Sequence, residues 1–383
     1  MSPMQIIPPE SDEKKLPSPR LPSSAEEKKN ARTADLLEQE LLRHYRREEF
    51  PALLAQAEEW RKTRPLAGVR VFDATPVFRN TLGKYMALLR GGAELTVGYS
   101  DFIPHDENTL AFLDSAGIQT AENDLEGETD VVLDCAGVHR KKRVSLGYVE
   151  LTRSGVERYR TSEKPVFVAD SSRIKRIETS LGTGESCLRA LRALGYGELK
   201  GVDALLFGYG KVGRGIAMYL ADAGALVTVV DALERCPSAP SSGLKCIDSR
   251  SGAEIRAAIS GARLVVSATA VPGALTPFAS LLNSSGAILV NMGVDDEFGP
   301  SVPPERVLNR KKPLNFILEE PTHMKYIDPT MALDNEGAKV LLEKAPFLRS
   351  GPFEPEESLE REILSAVCRA GVIEKEIERI ALL

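Results

Sequence analysis

The chain has 383 residues, 43% hydrophobic and 27% charged, with a formal net charge of -6 at pH 7. That length allows two domains with substantial cores, and the negative balance excludes a nucleic-acid binder working through a basic face. No apolar run reaches the ~18–20 residues of a membrane span, and residues 1–20 are polar and proline-rich without the apolar stretch of a secretory signal. A cytoplasmic protein with no membrane contact is expected.

Residues 1–30, rich in Pro, Ser, Glu and Lys, read as a disordered tail. Helical periodicity starts at Thr33 and runs to about Glu49, with Leu37, Leu41 and Tyr45 on one face, and a second helix is expected over 51–63. Strands are expected at 69–75, 94–99, 130–136 and 166–170, separated by helical segments, the pattern of parallel βαβ units. A helix following Gly184 leads into a second such series, with strands at 203–207, 225–231, 263–267, 286–291 and 314–318. Strands this apolar suit a parallel sheet covered on both faces. From Glu356 the chain turns helical, and Leu359, Ile363, Val367, Ile373, Ile377 and Ile380 form an apolar stripe for a core or an interface between protomers.

The five cysteines (Cys135, Cys187, Cys236, Cys246, Cys368) are odd in number and include no C-x-x-C. The expectation is a reducing compartment, with no disulfide and no structural zinc. The four histidines show no ligand spacing, so no metal site is expected.

Gly208-Tyr-Gly210-Lys211-Val212-Gly213 closes an apolar strand and opens a helix. In that setting the first glycine makes a tight turn, the second admits a pyrophosphate to the backbone, and the third lets helix and strand pack closely. The helix N-terminus then presents N–H groups to phosphate. Asp231 ends the next strand, 23 residues after Gly208, where a carboxylate accepts hydrogen bonds from the adenosine ribose. It favours NAD; Arg235 nearby keeps NADP open. Ser267-Ala-Thr269 and Asn291-Met292-Gly293 end later strands and are candidates to overhang the nicotinamide, or else plain sheet-edge turns.

From about Pro51 to Ala345 the chain resembles the S-adenosylhomocysteine hydrolases. The resemblance rests on the segment from Phe50-Pro-Ala-Leu to Arg64-Pro-Leu-Ala-Gly-Val-Arg70, on Gly91-Gly-Ala-Glu-Leu and Ala116-Gly-Ile, and on Ser154-Gly-Val156. It continues through Pro165-Val to Ala169-Asp-Ser171, Gly182-Thr-Gly-Glu-Ser186 and Asn291-Met-Gly-Val-Asp-Asp296. The nearest match is Phe207-Gly-Tyr-Gly-Lys-Val-Gly-Arg-Gly-Ile-Ala217. The resemblance implies an α/β molecule of two Rossmann-like domains with parallel sheets and NAD held between them. It divides the chain into a tail (1–30), a substrate-type domain (31–180, completed by 335–383) and an NAD-binding domain (181–334). NAD contacts are implied for Thr152, Arg153, Ser154 and Thr179, besides Gly208, Gly210, Lys211, Val212, Gly213, Asp231, Thr269, Met292 and Gly293.

The family oxidises a ribose 3′-hydroxyl with resident NAD, eliminates a thiol, adds water and reduces the sugar again. Aligned on Gly92-Ala-Glu-Leu95, its first catalytic histidine falls near Pro76, its substrate aspartate on Cys135, its substrate glutamate on Leu151 and its lysine on Ile174. The pair behind the lysine becomes Glu178-Thr179, and two further histidines fall on Val294 and Asn335. A substrate other than S-adenosylhomocysteine is therefore expected, because unpaired sugar hydroxyls and missing bases each cost rate or affinity.

New site candidates come from the strand ends: Asp73, Thr75, Asp134, Cys135, Asp170 and Ser171. Cys135 offers a nucleophile with His139 as its base, or simply fills core. Lys175 is a candidate acid/base with Glu178 to orient it; an exposed ion pair and a turn cap are the plainer alternatives. Arg153, Arg173 and Arg176 suit a carboxylate or phosphate, and His323 follows the last expected strand. Three functions stay open: an NAD-assisted enzyme on a small polar substrate, a simple NAD-dependent dehydrogenase, and an inactive NAD-binding regulator or scaffold. The tail after Ser350 reads as an amphipathic helix without the tyrosine that the family sends into a neighbouring protomer, and a homo-oligomer (dimer or tetramer) is expected.

Overall fold

The computed structural model describes residues 23–123, 127–236 and 244–381. In chain order its elements are α1 (Ser24–His44), α2 (Pro51–Thr63), β1 (Arg70–Ala74), α3 (Leu82–Arg90), β2 (Glu94–Tyr99), α4 (Glu107–Ser115), β3 (Gln119–Glu122), β4 (Thr129–Asp134), β5 (Val144–Glu150), α5 (Arg153–Arg158), β6 (Pro165–Val168) and α6 (Arg173–Arg176). Then come α7 (Thr183–Ala193), β7 (Asp203–Phe207), α8 (Lys211–Asp222), β8 (Leu226–Asp231), β9 (Lys245–Asp248), α9 (Gly252–Gly261), β10 (Leu264–Ser267), α10 (Ala279–Ser284) and β11 (Ile288–Asn291). The last are α11 (Met324–Lys344), β12 (Gly351–Phe353), α12 (Glu357–Ala370) and α13 (Glu374–Ala381).

The chain divides into two compact units. The first takes the residues up to Lys175 together with Met324–Glu374, the second Arg176–His323 with the stretch from Lys375. The sheet of the first unit has the order β12-β6-β5-β4-β1-β2-β3, and that of the second β11-β10-β7-β8-β9. Every strand pairing in both is parallel. Each order reverses once, between β1 and β4 in the first and between β7 and β10 in the second. That is the switch point at which doubly wound sheets take ligands, beyond the carboxyl ends of the strands.

Burial on both faces follows from the apolar strands. In the second unit Leu206, Val229, Val266 and Val290 pack with α7 and α8 residues such as Leu191 and Ile216. Their alternates Leu205, Val265 and Leu289 pack with Ile255 and Ile259 of α9 and Leu282 of α10. Fully burying one such side chain contributes about 1.5–3 kcal/mol.

The structure departs from the sequence reading in several places. The tail expected over 1–30 gives way to helix at Ser24, because Ser23 and Glu26 form a reciprocal capping box. Asn30 and Thr33 also tie that helix down, donating to the carbonyls of Ala93 and Ala116 at 3.0 Å each; residues 1–22 lie outside the described residues. The strand expected at 314–318 is instead a 3-10 turn over Leu314–Ile317. Only Leu314 of its apolar residues is buried, while Phe316 and Ile317 are exposed, so the run lacks the two-sided burial that a strand of a covered parallel sheet requires. β3, β5, β9 and β12 lie outside the expected strands, and the tail after Ser350 begins as β12 at the edge of the first sheet before turning helical. Cys236 and Cys246 form a disulfide, their Cα atoms 6.2 Å apart, against the expectation of none. The pairing of β9 with β8 brings the two cysteines together, and no sequence signal marks β9 as a strand.

Candidate functional site

The glycine loop joins β7 to α8 in the second unit. Gly208 has φ +93°, and a Cβ there would overlap the carbonyl of Ala268 in the loop after β10. A Cβ on Gly213 would overlap the carbonyl of Gly208, so strand and helix meet backbone to backbone. Gly210 differs: a Cβ there meets nothing within 4 Å. The two outer glycines are thus demanded by the fold, whereas the middle one faces open space at the start of α8, whose N-terminus carries no side-chain cap. The helix is seated by a second pair of close approaches, since side chains on Gly184 and Gly215 would strike the backbones of Gly215 and Ser180.

Asp231 ends β8. Its carboxylate accepts the N–H of Tyr209 inside the glycine loop at 2.6 Å and that of Ala232 at 2.7 Å. Two oxygens offer about four acceptor positions, so capacity is left for hydroxyls. Arg235 stands 3.9 Å from it, largely exposed, and Arg214 stacks over the Tyr209 ring at 4.9 Å. An open glycine, an uncapped helix N-terminus and a part-exposed carboxylate one strand over are what a dinucleotide pyrophosphate and ribose require; the residues fit NAD. Lys211 is exposed and Val212 half-buried beside them.

The remaining residues from the sequence reading in this unit lie at the ends of β10 and β11. Thr269 is half-buried, and its N–H and hydroxyl both donate to Glu297 at 2.8 Å. Met292 is buried, its N–H bonded to the carbonyl of Ser267, and Gly293 is buried against the Glu297 carboxylate. Glu178 and Thr179 are half-buried in a π-helical turn over Ile177–Gly182. His323 lies 3.6 Å from Glu185 and 3.8 Å from Glu320, partly exposed.

In the first unit the carboxyl ends of β4 and β5 carry two buried acids. Asp134 accepts from the N–H groups of Cys135 (2.8 Å) and His139 (2.9 Å) and from the Tyr159 hydroxyl (2.6 Å). Glu150 accepts from the N–H groups of Ala136 (3.1 Å), Gly137 (2.9 Å) and Thr152 (2.7 Å), and from the Thr152 hydroxyl (2.7 Å). Ala136 and Gly137 both have φ near +60°, so their N–H groups form a concave nest that the carboxylate fills. Burial, then the charge of Asp134, pushes Glu150 up to about 8. Burial also raises Asp134 from its ordinary value.

These acids hold the loop bearing Cys135 and His139. Cys135 is buried, and the His139 ring stands edge-on to Phe72 with centroids 5.1 Å apart. The Thr152 hydroxyl is spent on Glu150 and on the Ala136 N–H. Arg153 and Ser154 are exposed.

A second polar cluster joins Asp73 and Thr75, both strand-end candidates from the sequence, to Lys84 and Asp334, which the sequence did not mark. Lys84, on α3, lies 2.7 Å from Asp73 and 2.5 Å from Asp334, and donates to Thr75 at 3.0 Å, with all four side chains out of solvent. Burial pulls the Lys84 ammonium down, but Asp334 and Asp73 together hold it above its ordinary value. Burial pushes Asp334 up to about 6, against the pull of Lys84 and, more weakly, of Lys175. Lys175 is itself buried, which its reading as an exposed ion pair did not anticipate. Asn335 donates to Gln56 and to the Lys84 carbonyl. A lone lysine among apolar residues carries no sequence signal of burial; its partners come from β1 (Asp73) and from α11 (Asp334).

Among the described residues no helix is long and apolar enough to cross a membrane. No family model matches the chain. Curated relatives include adenosylhomocysteinases of Sulfolobus acidocaldarius (29% identical, 48% of this chain and 51% of that protein) and Sulfurisphaera tokodaii (27%, 64% of each). The S-inosyl-L-homocysteine hydrolase of Methanosarcina mazei is 26% identical over 64% of this chain and 66% of that protein. The chain spans about half to two thirds of the length of these relatives. It is a distant relative of the adenosylhomocysteinases, and that relationship with the loop geometry supports NAD as the dinucleotide. Among solved structures, a dipicolinate synthase component of Bacillus halodurans has a TM-score of 0.43 at 14% identity, covering 72% of this chain and 98% of that one. A transhydrogenase of Sinorhizobium meliloti has 0.42 at 16%, covering 72% and 96%.

Proposed function

We propose that this chain is an NAD-dependent enzyme related to the S-adenosylhomocysteine hydrolases, acting by redox chemistry on a small polar substrate other than S-adenosylhomocysteine. The observation that carries the reading is the glycine loop: Gly208 and Gly213 locked by backbone contact, Gly210 open, and Asp231 tied to the loop through Tyr209. Bound NAD would supply a hydride acceptor. The N-terminus of α8 would face its pyrophosphate, and Asp231 would accept the adenosine ribose hydroxyls, selecting against a 2′-phosphate. Around it we assign Lys211, Val212, Thr269, Met292, Gly293 and Thr179, with Arg153 and Ser154 in preference to Thr152, whose hydroxyl is already engaged.

The relatives are named for two nucleosides, adenosine and inosine, which supports a substrate base that varies among them. For proton handling we assign Lys175, buried within the field of Asp334, with Glu178, Cys135 and His139 as further candidates. A second reading, a catalytically inactive NAD-binding regulator or scaffold, is favoured by the buried Cys135 and by the His139 ring packed on Phe72. Assembly as a dimer or tetramer belongs to either reading, and light scattering at micromolar concentration checks it.

The test is to purify the protein without nucleotide, denature it, and chromatograph the supernatant for NAD and NADH, with calorimetry of added NAD. Near-stoichiometric release or clear binding, followed by NADH formation on mixing with nucleosides, thiols and hydroxy acids, is the expected result. Efficient homocysteine release from S-adenosylhomocysteine would overturn the substrate claim. No NAD by either measurement would overturn the whole reading.

A further inference from the structure

Glu297 is fully buried at the carboxyl edge of the second sheet. One of its oxygens accepts the N–H and the hydroxyl of Thr269 at 2.8 Å and the hydroxyl of Ser267; the other accepts the N–H of Ala270 at 2.7 Å. Ala270 has φ +59°, a left-handed backbone that a non-glycine residue keeps only when its surroundings enforce it. Gly293 admits the carboxylate, because a Cβ there would overlap it. The loop so held adjoins the glycine loop, since the Ala268 carbonyl is what a side chain on Gly208 would strike.

The Thr269 hydroxyl is oriented by this arrangement. Its proton goes to Glu297, and it accepts the N–H of Val271 at 3.1 Å. What it has left for a ligand is acceptor capacity. β10 lies on one side of β7, and β8, which ends in Asp231, lies on the other. A dinucleotide with its adenosine at Asp231 and its pyrophosphate at Gly210 therefore runs its second half toward Thr269.

We infer that Glu297 is a positioning residue for the dinucleotide: it locks the Ser267–Ala270 turn so that Thr269 accepts a hydrogen bond from the nicotinamide half, discriminating whole NAD from its adenosine half. This rests on the NAD reading above. A glutamine at position 297 keeps the size but turns one acceptor into a donor facing backbone N–H groups, so the turn loses its lock.

The experiment compares wild type, Glu297→Gln, Thr269→Val and Thr269→Ser by calorimetry with NAD and, separately, with ADP, alongside amide hydrogen exchange of the NAD-free proteins. The expected result is that Glu297→Gln and Thr269→Val weaken NAD by roughly tenfold or more with ADP unchanged, that Thr269→Ser binds like wild type, and that the Thr269 and Ala270 amides exchange faster in Glu297→Gln alone. Equal losses for NAD and ADP, or no loss for NAD, overturn the inference. Should Glu297→Gln fail to fold, Thr269→Val decides by the same two ligands. Wild type that binds ADP but not NAD also overturns it, whereas wild type that binds neither brings down the NAD reading itself, a separate failure.

Discussion

The carboxylate of Glu150 occupies the space that a side chain on Gly155 would fill. A methyl group at that position forces either the acid off its nest of N–H groups or the start of α5 away from the sheet. Gly155→Ala should lower stability by about 1–3 kcal/mol, the usual cost of overpacking, read as a lower urea midpoint. A wild-type midpoint would mean that the nest yields without cost.

The raised Glu150 gives stability a sign with pH. Unfolded, it loses its proton near the ordinary 4.5; folded, it keeps it until about 8. The folded state then binds more protons across that window, so this group's contribution is full below about pH 4.5 and is lost as pH climbs to about 8. Asp328, buried against the first N–H groups of α2 and pushed by burial up to about 7, acts in the same direction. Denaturant midpoints measured from pH 5 to pH 9 should fall more steeply for wild type than for Glu150→Gln. Parallel profiles would show that Glu150 ionises in its ordinary range.

Lys84 is the only charge pairing two buried carboxylates that the described residues show on α3. Lys84→Met leaves Asp73 and Asp334 buried without their cation and should cost about 3–5 kcal/mol. Adding Asp73→Asn should recover part of that loss, since one negative charge is removed with its partner. A double variant as unstable as the single would place the loss in packing rather than charge.

The glycine loop separates folding from binding. Gly213→Ala should destabilise the protein, because its methyl overlaps the Gly208 carbonyl. Gly210→Val should leave the melting temperature near wild type while abolishing NAD binding by calorimetry, because its side chain enters only open space. If both variants melt alike and bind alike, the two glycines do not have different roles.

Thiol accounting tests the disulfide. Without reductant, the native protein should be alkylated first at exposed Cys368; denaturation should add buried Cys135 and Cys187, and only reductant should release Cys236 and Cys246. Five alkylated thiols in the denatured, unreduced protein would show the pair to be reduced.

The sequence made the second unit more legible than the first. Gly208, Gly210, Gly213 and Asp231 are close in the chain, and their spacing is the geometry: a strand, a turn and a helix fix all four. Lys84, Asp334 and Asn335 meet only through tertiary packing, some 250 positions apart, and nothing local marks them. Glu150 and Glu297 escaped notice for a related reason. Each sits a few residues beyond, or at the very end of, a strand and works on the backbone of another loop, a pairing that residue type alone does not announce. β9 and β12 are short edge strands, and their partners, not their own residues, make them strands. The segment at 314–318 shows the converse, an apolar run that reads as strand and becomes a tight turn.

The interrupted chain path of the first unit has a consequence during synthesis. α11 and β12 complete its sheet, with Gly337 pressed against Val149 and Phe167, and β12 zipped onto β6. At ~5–20 residues per second, a ribosome takes roughly seven to thirty seconds to travel from Lys175 to Met324. Throughout that interval the nascent chain carries an unroofed apolar sheet face beside an open strand edge, whereas the second unit, nearly continuous in the chain, is all but complete once Met324 is reached. The first half of the protein is thus the part that waits, and a ribosome-bound chaperone would find its binding surface there.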